Sequence, residues 1–188
     1  MFNSEFLVNF LTFIILNKKF RRKAKIALRN FLYAGKMMRR AKSVGIGFVC
    51  NAPSHGNHNT IIGDHVCING VQVIGDGGCK FGSYSQFGHQ ILIITSNHNY
   101  DKGVKIPYDD KNVYKDVEIG DFCWVGSRVT ILPGTKIGEG VIIQAGAVVH
   151  GDIPKYAIVG GNPAKVFKYR DAEHFEKLKE QKSFLINC

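Results

Sequence analysis

An apolar residue returns every six positions at Ile119, Val125, Ile131, Ile137, Ile143 and Val149. A second series runs two residues earlier through Val117, Cys123, Val129, Thr135, Val141 and Ala147, all small or β-branched. The same rule holds earlier in the chain. Ile62, Ile68 and Ile74 are spaced by six, one extra residue near Gly77 and Gly78 shifts the frame, and Phe81, Phe87 and Ile93 carry it on. A period of six is neither the helical 3.6 nor the simple alternation of a strand. It suits three short strands per coil, each turning one apolar side chain into a stacked core. Glycine follows the apolar position at Gly63, Gly75, Gly82, Gly88, Gly120, Gly126 and Gly138, where it lets the chain turn a corner. The pattern therefore predicts an all-β core: a parallel β-helix over residues 46–168.

A stack of coils pairs its backbone upward and downward and leaves open edges at its two ends. Segments 1–45 and 169–188 read as helical appendages, and the N-terminal helices and the charged stretch Asp171–Lys182 are expected to cover those ends. The repeat stops at Thr95 and resumes near Val117. The interruption, 95–116, is too long for a corner and too irregular for a coil, and long insertions of that kind in a compact repeat are usually functional.

The formal charge of +10 is concentrated in one place. Residues 17–42 hold eleven Lys/Arg and no acid, whereas residues 43–188 hold fourteen of each sign. Residues 1–16 are strongly apolar, with Phe6, Phe10, Phe13 and Ile14 at helical spacing, but the run is too short to span a bilayer. No basic region precedes it, so it does not read as a signal peptide. An apolar helix followed by a cationic one suits peripheral contact with an anionic membrane through residues 1–42, or packing on the body of the protein. No nucleic-acid motif accompanies the charge. The five scattered cysteines, without a C-x-x-C pair, argue against a disulfide scaffold or zinc knuckle and suit a reducing, cytoplasmic setting, at most peripheral at the inner face of the membrane.

The stretches VEIGDFCWVGSRVTILPGTKIGEGVIIQAGAVV (117–149) and IVGGNPAKV (158–166) resemble the hexapeptide-repeat acyltransferases, among them galactoside, maltose, streptogramin and surface-polysaccharide O-acetyltransferases. The resemblance covers residues 60–170. It implies a left-handed β-helix, a homotrimer with active sites between subunits, acetyl-coenzyme A as co-substrate without a metal, and a glycan acceptor.

Acyl transfer to a hydroxyl needs a base, and histidine is the usual choice near neutral pH. Of seven histidines, His98 stands apart on its position in the inserted loop, and the resemblance assigns it as the catalytic base. The resemblance also places Ser127 at the oxyanion, after Trp124-Val125-Gly126, and Ala145 against the pantetheine arm. Lys165 and Lys168 match basic residues that meet the coenzyme phosphates, with lysine where some relatives carry arginine. Trp124 belongs to the same coenzyme set. His150-Gly151-Asp152 replaces a Thr-Lys-Asp stretch of many relatives and removes one cation. For the acceptor, Asn69 and Asp76 match substrate-binding positions. Tyr100, Asp101, Asp109 and Asp110 read as solvated loop residues. Three rivals remain: an amino-sugar N-acetyltransferase, a non-catalytic scaffold, and a zinc-dependent β-helix anhydrase, the last lacking its H-x-x-x-x-H spacing.

Overall fold

The computed structural model describes residues 18–186, so the apolar segment 1–16 and its expected helix lie outside the described residues. Helix α1 (Lys18–Arg40) leads into a stack of coils with three faces. The first face is a parallel sheet of Ser43–Val44, Thr60–Ile62, Cys79–Phe81, Val117–Ile119, Lys136–Ile137 and Asp152–Ile153, in that order. The second and third faces share two long strands, Cys67–Ile74 and Gln86–Ile94, which bend from one face onto the next. Val49–Ala52, Trp124–Val125, Ile142–Ile143 and Ala157–Gly161 complete the second face, and Thr130–Ile131 and Val148–Val149 complete the third. Winding starts at Ser43, a full coil before the period becomes readable at residue 60.

Both apolar series point inward. Ile119, Val125, Ile131, Ile137, Ile143 and Val149 are buried, as are Val117, Cys123, Val129, Thr135, Val141 and Ala147. Ile74 breaks the rule: it is 52% exposed, and Val73 fills the core in its place. The cause is a shift in register between Ile68 and Asn69, where the second coil has one residue fewer at its corner than the third. A slip of one residue turns the following side chains to the opposite face.

The glycines after the inward positions serve close approach rather than turning. A Cβ at Gly126 would lie 2.6 Å from the Ala145 nitrogen of the next coil. The left-handed residue that turns the corner comes two positions later. Between the first and second faces it is His65, Tyr84, Phe122 or Tyr156, with φ between 53° and 63°. Such a conformation costs a bulky residue roughly 1–2 kcal/mol. Stacking offsets that cost: His65 lies on Tyr84 at 5.0 Å and Tyr84 on Phe122 at 5.2 Å, each pair worth about 0.5–1.5 kcal/mol beyond its buried area.

At the first coil α1 packs against Val49–Ala52 and seals the core with Met37, flanked by Tyr33 and Ala34. The C-terminal cover differs from the expectation. Strand Ala164–Tyr169 folds back antiparallel on Ala157–Gly161, while helix α2 (Ala172–Glu180) lies along the aromatic corner. Its buried Phe175 meets Tyr156 and Phe122, and Lys179 pairs with Glu139. Asp171 caps α2 by accepting from the His174 N–H at 2.9 Å. Cys50, Cys79 and Cys123 are free, buried thiols.

Candidate active site

At several corners a side-chain hydrogen bond links one coil to the next. The N–H of a corner residue is capped by the short polar side chain standing on it one coil above. Asp64 Oδ1 accepts from the Ile46 N–H at 2.9 Å, Ser83 Oγ from the Asp64 N–H at 3.1 Å, and Asp121 Oδ1 from the Ser83 N–H at 2.7 Å. The corner between the second and third faces follows suit, with Ser127 Oγ accepting from the His89 N–H at 3.0 Å. There the chain of caps ends. The register of Trp124 with Ile142 and Val125 with Ile143 sets Ala145 on Ser127, and Ala145 has no polar group to offer. No hydrogen bond to the Ser127 N–H forms among the described residues. The Ser127 N–H is thus left without a protein acceptor among the described residues, as is the Asp121 N–H on the first corner, where Glu139 stands above and bonds Lys155 and Lys179 instead.

This corner borders a groove of about 770 Å³ lined by Asn69, His89, Gln90, Ser127 and Arg128. His89 is exposed there. Nothing local in the sequence marks it, because it meets Ser127 across an offset of 38 residues.

Trp124 is 60% exposed on the second face. It stands in register with Ile142, then Ile158, then Lys168 on the returning strand. Lys165 pairs with Gly160, beside the row of Ser127 and Ala145. Three strand spacings separate Ser127 from Lys165, on the order of 15 Å. A thioester carbonyl at Ser127 and phosphates at Lys165 and Lys168 would therefore be joined by a group as long as an extended pantetheine arm. Both lysines are exposed, as point charges for phosphate require.

The insertion leaves at the next corner, from the third face back to the first. Ser96–His98 pairs antiparallel with Asn112–Tyr114 and projects away from the coils. His98 is exposed, and Tyr108 stacks on its ring at 3.9 Å and 6°, which fixes the imidazole plane. Asp109 corrects its expected solvated role: it is 5% exposed. Its carboxylate accepts from the Lys111 N–H at 2.9 Å, Asn99 Nδ2 at 3.0 Å and the Val104 N–H at 3.4 Å. The Lys111 N–H above all holds its carboxyl below the ordinary value. Asp109 is the pin of the loop that carries His98. Asp101 and Asp110 are exposed, and Tyr100 is 72% exposed.

Asn69 forms part of a ladder. Asn30 Nδ2 donates to Asn51 at 2.7 Å, Asn51 Nδ2 to Asn69 at 3.0 Å, and Asn69 Nδ2 to the Phe87 carbonyl at 2.8 Å. Its polar atoms are engaged in the fold, although it still lines the groove. Asp76 lies elsewhere, in the turn beneath the loop root, where flanking Gly75 and Gly77 pack on Ser96 and Thr95. Its side chain is exposed and shares a cleft of about 550 Å³ with Arg39, Arg40, His55 and His58. The residues singled out in the sequence therefore fall into two groups. His98 and Asp76 share one corner, and Ser127 and Ala145 share another, with the third face between them. Among the described residues no group of three or more His, Cys, Asp or Glu converges as metal ligands would.

Residues 116–151 match the family model described as bacterial transferase hexapeptide (six repeats). The chain is 31% identical over 135 residues to WbbJ of Escherichia coli K12, named for lipopolysaccharide biosynthesis O-acetyl transfer, covering 66% of each chain. It is 35% identical over 108 residues to a chloramphenicol acetyltransferase of Escherichia coli, covering 50% of each. In both cases it spans two thirds of the relative's length or less. Among solved structures, a hexapeptide-repeat acetyltransferase of Vibrio cholerae complexed with acetyl coenzyme A superposes with a TM-score of 0.64 at 26% identity, over 71% of this chain and 73% of that one.

Proposed function

Because the chain belongs to the hexapeptide-repeat transferases, we propose that it transfers an acetyl group from acetyl-coenzyme A to a sugar hydroxyl. The acceptor we assign is a cell-surface polysaccharide or its membrane-borne precursor, met at the cytoplasmic face. The observation that carries the reading is the open Ser127 N–H, beside a groove, on the residue whose own hydroxyl caps the His89 N–H of the neighbouring coil.

His98 takes the proton of the acceptor hydroxyl as that oxygen attacks the thioester carbonyl. The Ser127 N–H stabilises the oxyanion that forms, and Lys165 and Lys168 hold the nucleotide phosphates. Collapse of the intermediate breaks the C–S bond, and the imidazolium returns its proton to the departing thiolate. In one chain the two groups lie on different corners, on the order of 15 Å apart along the third face. A homotrimer, with His98 of one subunit closing on Ser127 of the next, brings them together. Asp76 then faces the acceptor from the His98 side, and Asn69 borders the groove from the other.

The test is thiol release from acetyl-coenzyme A with a panel of sugars and amino sugars, with product mass read for O- against N-acetylation. A His98→Ala variant should lose about 10²–10⁴-fold in kcat while keeping its melting temperature, since His98 is exposed. Full activity in that variant refutes the mechanism, and turnover confined to amino sugars refutes the hydroxyl acceptor.

A further inference from the structure

Helix α1 has one face more than the coils use. Its inward side carries Tyr33, Ala34 and Met37 onto the core. At about 100° per residue a second apolar stripe runs down a different side, through Leu28, Phe31, Leu32 and Met38. These are 61%, 73%, 55% and 50% exposed. Gly35 lies within that stripe, with nothing within 4 Å of a Cβ placed on it. Lys25, Arg29 and Lys36, all exposed, lie on one flank of that stripe, and Arg21, also exposed, continues the line of Leu28 two turns earlier. The segment 18–40 holds ten Lys/Arg and no acid. A helix that only capped the stack would need one apolar side, with the rest polar.

We propose that the outward side of α1 docks on an anionic lipid surface. Leu28, Phe31, Leu32 and Met38 enter the boundary between headgroups and acyl chains, and Arg21, Lys25, Arg29 and Lys36 lie against the lipid phosphates. An apolar stripe bordered by cations is what an interfacial helix presents. Charge selects lipid over a second copy of the chain. An identical helix would set cation against cation, and the remainder of the chain, residues 43–188, is neutral, with fourteen charges of each sign. The helix ends at Arg39 and Arg40, which line the cleft shared with Asp76 at the corner the His98 loop leaves. Docking along α1 thus brings the acceptor side of the site to the membrane. No helix among the described residues is long and apolar enough to cross a membrane, so the contact is peripheral. The inference deepens the acceptor reading above and rests on it for its purpose.

The experiment is co-sedimentation of the full chain with phosphatidylcholine vesicles, with and without phosphatidylglycerol, at low salt. Partitioning onto the anionic vesicles alone is the expected result. The Leu28→Asp/Phe31→Asp variant should lose at least tenfold in partitioning. Lys25→Gln/Arg29→Gln/Lys36→Gln should lose about fivefold for each cation removed, roughly a hundredfold together. Oligomeric mass and thiol release with a soluble sugar should stay as in the unaltered chain. Absence of binding to anionic vesicles, or variants that bind as the unaltered chain does, overturns the proposal. So does loss of oligomeric mass in the apolar variant, which would make the stripe a contact between copies. Vesicle binding that persists where no sugar is acetylated would leave the docking standing and remove the acceptor reading instead.

Discussion

Placing a cap on the Ser127 N–H should separate stability from activity. The chain supplies its own templates: Asp121 Oδ1 caps Ser83 at 2.7 Å and Ser127 Oγ caps His89 at 3.0 Å, each from the coil above. Ala145 stands over Ser127 in the same relation. In Ala145→Asp the new carboxylate should accept from the Ser127 N–H, a hydrogen bond to a charged group worth about 1.5–3 kcal/mol. That should raise Tm by about 2–4 °C per kcal/mol retained. The same bond occupies the oxyanion donor and sets a negative charge where negative charge must develop. Removing one such donor costs about 10²–10³-fold in kcat, or about 2.7–4 kcal/mol. Ala145→Ser should fall between, since a neutral hydroxyl bond of about 0.5–1.5 kcal/mol is more readily displaced. Thiol release at saturating acetyl-coenzyme A and thermal melting, measured on both variants, decide the matter. A variant that keeps full activity refutes the oxyanion assignment. One that loses activity together with several degrees of Tm refutes the capping argument, because the damage would then be to the fold.

Lys165→Ala and Lys168→Ala should each raise KM for acetyl-coenzyme A by about tenfold or more, the worth of a charge-assisted bond, with kcat unchanged; initial-rate kinetics check this. Asp109 predicts a pH dependence of the loop. Its carboxyl lies below the ordinary value, so its contribution is complete above the unfolded pKa of about 3.9 and is lost as pH falls through the lower folded value. Amide exchange in 99–111 should therefore stay slow at pH 5 and quicken only below about pH 4, after correction for intrinsic exchange. Asp109→Asn should show the quickened exchange at pH 5 and a lowered kcat.

Much of this architecture is legible along the chain because a coil is a local object. Ile119, Val125 and Ile131 report their faces through spacing alone, and the break after Thr95 marks the loop that carries His98. Ile74 was misplaced by the same rule because a corner one residue shorter is invisible until two coils are laid in register. Asp109 was misjudged because a loop carboxylate reads as solvated until the N–H groups that converge on it are known.

The coils, the position of the loop and the cationic N-terminal stretch can all be read along the chain, since each is a pattern within a short window. That Ser127 stands on His89, 38 residues away, and that Ala145 leaves the Ser127 donor open follow from the stacking of the coils. The loop intervenes in the chain but not in space, so the stacking that creates the site has no fixed signature along the sequence. The same holds for α1, whose helical period reveals two apolar stripes but not which of them the coils bury. The exposed one, through Leu28, Phe31 and Leu32, emerges only when the helix is set down on the core by Met37.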